Sequence, residues 1–306
     1  MRKLLIIMLF FCCSCSRKAY LFTSFHEPAT DGLRLLYSKD ALQWEELPGT
    51  FLAPKVGKQK VMRDPSLIQG PDGTFHLVWT SSWRSDAGFG YASSKDLIHW
   101  SEQRLIKVME HEPKTVNVWA PELFYDEQAD DFIIIWASAI PGRFPKGTEE
   151  EDNNQRMYFS RTKDFRTFSK GQLFADPGFS VIDAMIVKRA KSDYVLVLKD
   201  NTRANRNLKV AFSESAVGPF RNVSAPFSGK LTEGPAVIGL KEKWLIYYDA
   251  YGEKRYAAVE TNDFKSFKDI SAQTSIPEGH KHGTIVKVRM KILRQLIKES
   301  TNKSAK

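Results

Sequence analysis

The sequence predicts an all-β fold, a five-bladed β-propeller with four-stranded blades. Its ring is closed by N- and C-terminal strands that share one blade. Three observations carry that expectation. A turn pattern recurs five times, strand-like segments surround each copy, and the chain opens with an incomplete unit and closes with a lone strand. Self-similarity at such spacing reads as one supersecondary unit repeated with insertions.

Residues 1–15 stand outside the repeat. Met1-Arg2-Lys3 is a short basic start, 4–11 is an unbroken apolar run, and Cys12, Cys13 and Cys15 follow. That is the pattern of a secretory signal, and it is shorter than the ~20 residues a spanning helix needs. All three cysteines lie here, which excludes a disulfide framework in the mature domain. The economical reading is bacterial lipoprotein processing, with Ser14 before the cut and Cys15 as the acylated N-terminus. Cys13 is the weaker candidate, because Cys12 is a poorer small residue than Ser14. An ordinary secretory signal with incidental cysteines is the alternative.

The propeller is expected over 19–290. Ser38-Lys39-Asp40-Ala41-Leu42-Gln43-Trp44 is echoed by Ser94-Lys95-Asp96-Leu97-Ile98-His99-Trp100, by Thr162-Lys163-Asp164-Phe165-Arg166-Thr167-Phe168 and by Thr261-Asn262-Asp263-Phe264-Lys265-Ser266-Phe267. A degenerate copy, Ser213-Glu214-Ser215-Ala216, lies between the last two. Segments 75–80, 132–137, 194–198 and 244–248 are rich in Val, Ile, Tyr and Trp, as strands are. Before each lies a further short strand, at 66–68, 122–125, 184–188 and 235–238. Residues 20–24 and 33–37 form a partial blade without an inner strand. Residues 283–288 supply that strand from the far end and leave no open edge. The tail, 291–306, reads as a short terminal helix that frays from Glu299. The length of 306 residues alone suggests ~2 domains, but the repeat reduces the body to one.

Composition narrows the function. Charged residues at 26% and hydrophobic residues at 42% exclude a disordered chain. The net charge of +9 is spread out, with no dense Lys/Arg run to bind nucleic acid. Seven Trp, 10 Tyr and 20 Phe supply a large core and rings on which sugars stack. No Gly-rich nucleotide loop and no metal-spaced Cys/His cluster indicates a required cofactor. The chain is expected to act as a monomer.

Residues just before each inner strand converge on the central channel. They read Arg63-Asp64-Pro65-Ser66, Trp119-Ala120-Pro121-Glu122, Val181-Ile182-Asp183-Ala184, Thr232-Glu233-Gly234-Pro235 and His280-Lys281-His282-Gly283. Four blades place a carboxylate there and the fifth a histidine. Acids are rarely buried without purpose, and crowded carboxylates push one another's pKa values apart, as acid and base work requires. Each has a bland reading: Asp64 as a turn aspartate, Glu233 as a strand cap, His282 as a satisfied structural histidine. The ordered set outweighs these readings.

These motifs resemble glycoside hydrolase family 43, five-bladed propeller enzymes acting on arabinose- and xylose-containing glycans. The likeness runs from Tyr20 to Val288. It rests on Asp-Pro-Ser, Trp-Ala-Pro, Ile-Asp, Glu-Gly-Pro and His-Gly occurring in order. The resemblance implies Asp64 as general base, Glu233 as general acid, and Asp183 as the aspartate that orients the acid and raises its pKa. It implies inversion, with the two carboxyls ~6.5–9.5 Å apart. It also implies a structural calcium or sodium ion beside His282. Two positions depart from the family: Glu122 replaces an Asp, which alters a sugar subsite, and Ala184 replaces a Pro.

The substrate is expected to be an oligosaccharide or polysaccharide. Long loops at 82–89, 139–156 and 200–207 favour a pocket and exo action. Trp83, Trp119, Glu122, Lys199, Arg203 and His282 are its expected substrate-binding residues. The reading is an inverting exo-acting α-L-arabinofuranosidase or β-xylosidase. Two alternatives stay open. One is a retaining fructosidase-type enzyme, for which the upstream Asn-Asp-Pro nucleophile is missing. The other is a non-catalytic glycan-binding lipoprotein. A lipidated Cys15 places the protein in the bacterial cell envelope, and the absence of acidic residues in Ser16-Arg17-Lys18 leans to the periplasmic face.

Overall fold

In the computed structural model, which describes residues 18–304, the repeated pattern is a hydrogen-bonded turn between the third and fourth strands of a blade. The N–H groups of Leu42 and Gln43 donate to Asp40 Oδ1 at 2.8 and 2.9 Å, and that of Ala41 donates to Ser38 Oγ at 2.9 Å. The same three bonds recur at Ser94/Asp96, Thr162/Asp164 and Thr261/Asp263. They hold the residue after each aspartate in the left-handed region, at φ 63, 64, 53 and 57° for Ala41, Leu97, Phe165 and Phe264. That conformation is costly for a residue with a side chain. In the degenerate copy Ser215 Oγ accepts from Val217 N–H at 3.3 Å in place of the carboxylate. The expected signal at 1–15, with Cys15, and residues 305–306 lie outside the described residues.

Five antiparallel sheets follow the chain. Blade one holds β1 (Lys18–Ser24), β2 (Leu33–Ser38) and β3 (Glu45–Leu52). Blade two holds β4 (Arg63–Gln69), β5 (Phe75–Thr80), β6 (Phe89–Ser94) and β7 (Arg104–Ile106). Blade three holds β8 (Trp119–Asp126), β9 (Asp131–Ala139), β10 (Gln155–Thr162) and β11 (Gln172–Ala175). Blade four holds β12 (Val181–Ala190), β13 (Asp193–Asp200) and β14 (Asn207–Ser213). Blade five holds β15 (Glu233–Gly239), β16 (Trp244–Ala250), β17 (Arg255–Thr261) and β18 (Lys268–Asp269). The last strand, β19 (Ile285–Arg289), pairs with β1 from Lys18↔Arg289 to Phe22↔Ile285 and becomes the inner strand of blade one. The ring is the expected five-bladed propeller, closed by the two ends of the chain.

Blade four departs from four regular strands. Its sheet has three, and the outer position is taken by 221–227, which bonds to β14 only in places. Ser224 N–H donates to Val210 O and Phe227 N–H to Leu208 O, at 2.8 and 3.0 Å. Pro226 between them has no N–H to give, so a regular ladder does not form.

Inner faces of neighbouring blades pack on one another. Trp79, Trp136 and Tyr247 are fully buried between them. Helix α1 (Met290–Ser304) runs through the residues expected to fray. Leu293 and Leu296 are buried against blade one, and Ser300 on the same face is buried too. This stripe at helical spacing extends the helix past Glu299. Among the described residues no helix is long and apolar enough to cross a membrane.

Candidate active site

Four inner strands share one local distortion, and it sets the site. Pairing with the second strand slips between Arg63 and Ser66, Trp119 and Glu122, Ile182 and Met185, and Glu233 and Ala236. At the slip Asp64, Ala120, Asp183 and Gly234 are left-handed, with φ 50, 46, 50 and 58°. These bulges re-aim side chains toward the channel. They also correct the positional reading of the sequence. Asp64 and Asp183 are equivalent, but Glu233 stands one residue earlier and Glu122 two residues later in its bulge. Glu122, two positions past the left-handed residue, lines the channel space and not the pocket that holds Glu233.

Asp64, Asp183, Glu233, Lys199 and His282 line one pocket, with Arg63, Thr80, Trp83, Trp119, Asn153, Ile182 and Asn201. It encloses about 200 Å³, less than the ~300 Å³ at which drug-sized pockets begin. A single sugar ring suits that space better than a chain. Asp64 is fixed from two sides. Thr80 Oγ1 donates to its Oδ2 at 2.7 Å, and His282 Nδ1 is 3.2 Å from Oδ1. The other ring nitrogen of His282 faces Glu233 Oε1 at 3.8 Å. Glu233 Oε2 accepts from Lys199 Nζ at 2.6 Å. Asp183 Oδ2 accepts the N–H of Gly234 at 3.2 Å.

Gly234 is obligatory here. A Cβ on it would meet the Cβ of His282 at 2.1 Å, and its φ is positive. Trp83 and Trp119 meet edge to face at 5.6 Å, with Trp119 Nε1–H donating to Trp83 O. The guanidinium of Arg63 lies 4.0 Å over the Trp83 ring. Trp83 stays 46% exposed at the mouth, where a sugar face can reach it.

The electrostatics differ from the expectation. Burial raises Glu233, but the charges of Lys199 and His282 outweigh it and hold its carboxyl below the ordinary value. Burial dominates at Asp183 and raises its pKa, despite His282 and Lys199. Burial opposes charge on His282, yet Asp64, Asp183, Glu233 and Asp249 together hold its pKa up. The sequence led to a Glu233 kept protonated by an ionised Asp183. In this arrangement a buried lysine sits on Glu233 and reverses that order.

Two expected sugar contacts lie elsewhere. Arg203 is exposed, and its guanidinium turns out to Glu149 at 4.0 Å. Glu122 occupies the axial channel beneath the pocket, with Asp64, Asp183, Met185 and His282 around that space. Its carboxyl accepts from Thr284 Oγ1 at 3.2 Å, and burial pushes its pKa up to about 8 against the Ser66 and Thr284 hydrogen bonds. Arg63, Thr80, Asn153 and Asn201 enter the pocket without having been singled out from the sequence. Arg63 and Thr80 were legible as neighbours, since Arg63 precedes Asp64 and pairs with Thr80 across the bulge. Asn153 and Asn201 come from separate loops and meet at 2.9 Å, which no local pattern signals.

The calcium or sodium ion implied beside His282 does not fit the residues there. Both ring nitrogens already face carboxylates, at 3.2 and 3.8 Å, and calcium takes oxygen ligands, not imidazole nitrogen. Among the described residues, the group of three ligand atoms within 4.8 Å of one another is His26, Glu46 and His280.

A propeller with three carboxylates, a histidine and an aromatic wall in one pocket is the frame of a glycoside hydrolase. The chain belongs to a family related to glycoside hydrolase family 43, whose model, described as "Probable glycosyl hydrolase domain", matches residues 16–292. Similar solved structures share the fold at low identity. A thermostable family-43 glycoside hydrolase is 16% identical with TM-score 0.55, over 72% of this chain and 78% of that one. The α-L-arabinofuranosidase of Lactobacillus brevis is 17% identical with TM-score 0.52, over 69% and 72%. The exo-β-1,3-galactanase of Phanerochaete chrysosporium is 12% identical with TM-score 0.52, over 71% of this chain and 53% of that one. No curated protein matches the chain.

Proposed function

We propose that the protein is an inverting, exo-acting glycosidase, reading best as an α-L-arabinofuranosidase or β-xylosidase. The observation that carries this is the convergence of Asp64, Asp183 and Glu233, from three blades, on a pocket sized for one ring. Asp64 takes a proton from a water that attacks the anomeric carbon. Glu233 gives a proton to the glycosidic oxygen as the C–O bond breaks. A single imidazole spans Asp64 and Glu233, a spacing of the order of the ~6.5–9.5 Å that an intervening water needs. Lys199 must first leave Glu233. A sugar hydroxyl that takes the ammonium removes the charge that keeps Glu233 ionised, and burial then favours the protonated acid, which takes its proton from solvent before the C–O bond breaks.

One observation favours a second reading, a glycan-binding protein without turnover: the Lys199–Glu233 pair holds the acid ionised. A panel of arabinan, xylan, galactan and their oligosaccharides, with products resolved by size, separates the two. Release of one monosaccharide supports the exo-glycosidase. Oligosaccharide products would make it an endo-enzyme, and retained sugar binding with no product would leave only a binding protein. The galactanase likeness makes galactan a necessary member of the panel.

The protein is further proposed to be a monomeric lipoprotein, anchored through Cys15 on the periplasmic side of the cell envelope. Several acyl chains at ~0.8 kcal/mol per buried CH₂ anchor firmly. Cys15→Ala should release active protein to the soluble fraction, and protease added to intact cells should leave the wild type uncut. Membrane retention without Cys15 overturns the anchor, and cleavage on intact cells overturns the periplasmic side.

A further inference from the structure

We propose that His26, Glu46 and His280 form a binding site for one divalent transition-metal ion of the zinc class. The three lie on blade one, apart from the sugar pocket. His26 is on the loop after β1, Glu46 in β3, and His280 in the segment that returns from blade five to the channel. One ligand atom from each falls within 4.8 Å of the others.

The hydrogen bonds fix which atoms are available. Ser24 Oγ donates its one hydrogen to Lys281 O at 2.8 Å. It therefore accepts from His280 Nδ1–H at 3.0 Å. That places the proton on Nδ1 and leaves the lone pair on Nε2. His280 is 4% exposed, and its Nε2 is buried with no hydrogen-bond partner. It points at Glu46 Oε2, 3.7 Å away, a gap one ion at ~2.0–2.2 Å from each can span. Nε2 of His26 is likewise buried and unpartnered, with its ring centroid 4.4 Å from that of His280.

An outer partner orients the carboxylate. Arg34 donates to Glu46 Oε1 at 3.0 Å and also pairs with Asp31. This leaves Oε2 turned to the histidines. Metal-bound histidine and carboxylate are commonly held by such outer hydrogen bonds. Two imidazoles and one carboxylate suit zinc and its neighbours, whereas calcium and magnesium take oxygen ligands.

The ion would have structural work to do. Lys281 N–H donates to Phe25 O at 2.9 Å beside the site, and the next residue is His282. A metal there ties the first strand's loop, β3 and the closing segment together, and braces the approach of His282 to the pocket.

The test uses the full chain in detergent, with Cys12, Cys13 and Cys15 alkylated, stripped with a chelator and titrated with Zn²⁺. Metal content after gel filtration and thermal melting are read together. The expected result is one Zn²⁺ per chain, a melting temperature raised by Zn²⁺ and unmoved by Ca²⁺, and loss of both effects in His26→Gln and Glu46→Gln. Co²⁺ should give a visible absorption band in the wild type alone. Both variants should still melt cooperatively in chelator, since His26 and Glu46 are only half-buried. Substoichiometric Zn²⁺ in the wild type, or equal binding by the two variants, overturns the proposal.

Discussion

The ammonium of Lys199 lies 2.6 Å from the carboxylate of Glu233, and the lysine is almost wholly buried. An ion pair so shielded is costly to break from one side, because the remaining charge is left in a poor solvent. It therefore sets the resting protonation of the pocket.

Replacing Lys199 by Met removes the nearest cation and lets the Glu233 pKa rise. If Glu233 is the acid, the alkaline limb of the kcat/KM profile should move to higher pH, because the acid stays protonated longer. An unmoved limb, with kcat and KM both measured, would assign the proton to another group.

Glu233→Ala and Asp64→Ala should each lower hydrolysis by about 10²–10⁴-fold, the typical weight of one general acid or base. Cooperative melting should persist in both. Near-native turnover in either variant would remove that residue from the mechanism.

Glu122 gives a pH signature of stability. Its folded pKa, about 8, stands above the ordinary 4.5, so between those values the folded state holds the extra proton. Stability on its account is full below pH 4.5 and falls as pH rises toward 8. Glu122→Gln should flatten this slope and raise the melting temperature at pH 9 relative to wild type. An unchanged slope from pH 6 to 9 would mean that channel water solvates the carboxylate.

Gly234→Ala should destabilise the fold and abolish activity together. The added methyl would sit 2.1 Å from the His282 Cβ at φ 58°, and neither backbone nor ring can yield without displacing Glu233. Melting and sugar binding measured on the same sample test this. A variant of normal stability and activity would refute the close approach.

Much of the architecture was legible because its causes are local. Asp40, Asp96, Asp164 and Asp263, with Ser215 in the degenerate copy, each close a turn within four residues, so their pattern survives in the sequence and counts the five blades. Alternation and turn residues marked the strands between them. The helix runs past the expected fraying point because Leu293, Leu296 and Ser300 are held on the face of blade one, a tertiary contact that local propensity does not signal.

Asp64 and Asp183 were found because they occupy the same place in the repeat, and Glu233 because it stands next to it. Their roles could not be read the same way. A bulge at four of the five inner strands shifts the register by one residue, so residues at like places in the sequence do not share one place in the bulge. Glu122, two residues late in its bulge, lines the channel, and Arg203, on a loop, turns out to Glu149. Sequence alone determined the ring, its closure and the gathering of carboxylates, since repeated local patterns carry those. Only the tertiary structure decided which charges touch: Lys199 lies one residue before the end of β13 in blade four and Glu233 opens β15 in blade five, and packing one blade on the next brings them to 2.6 Å.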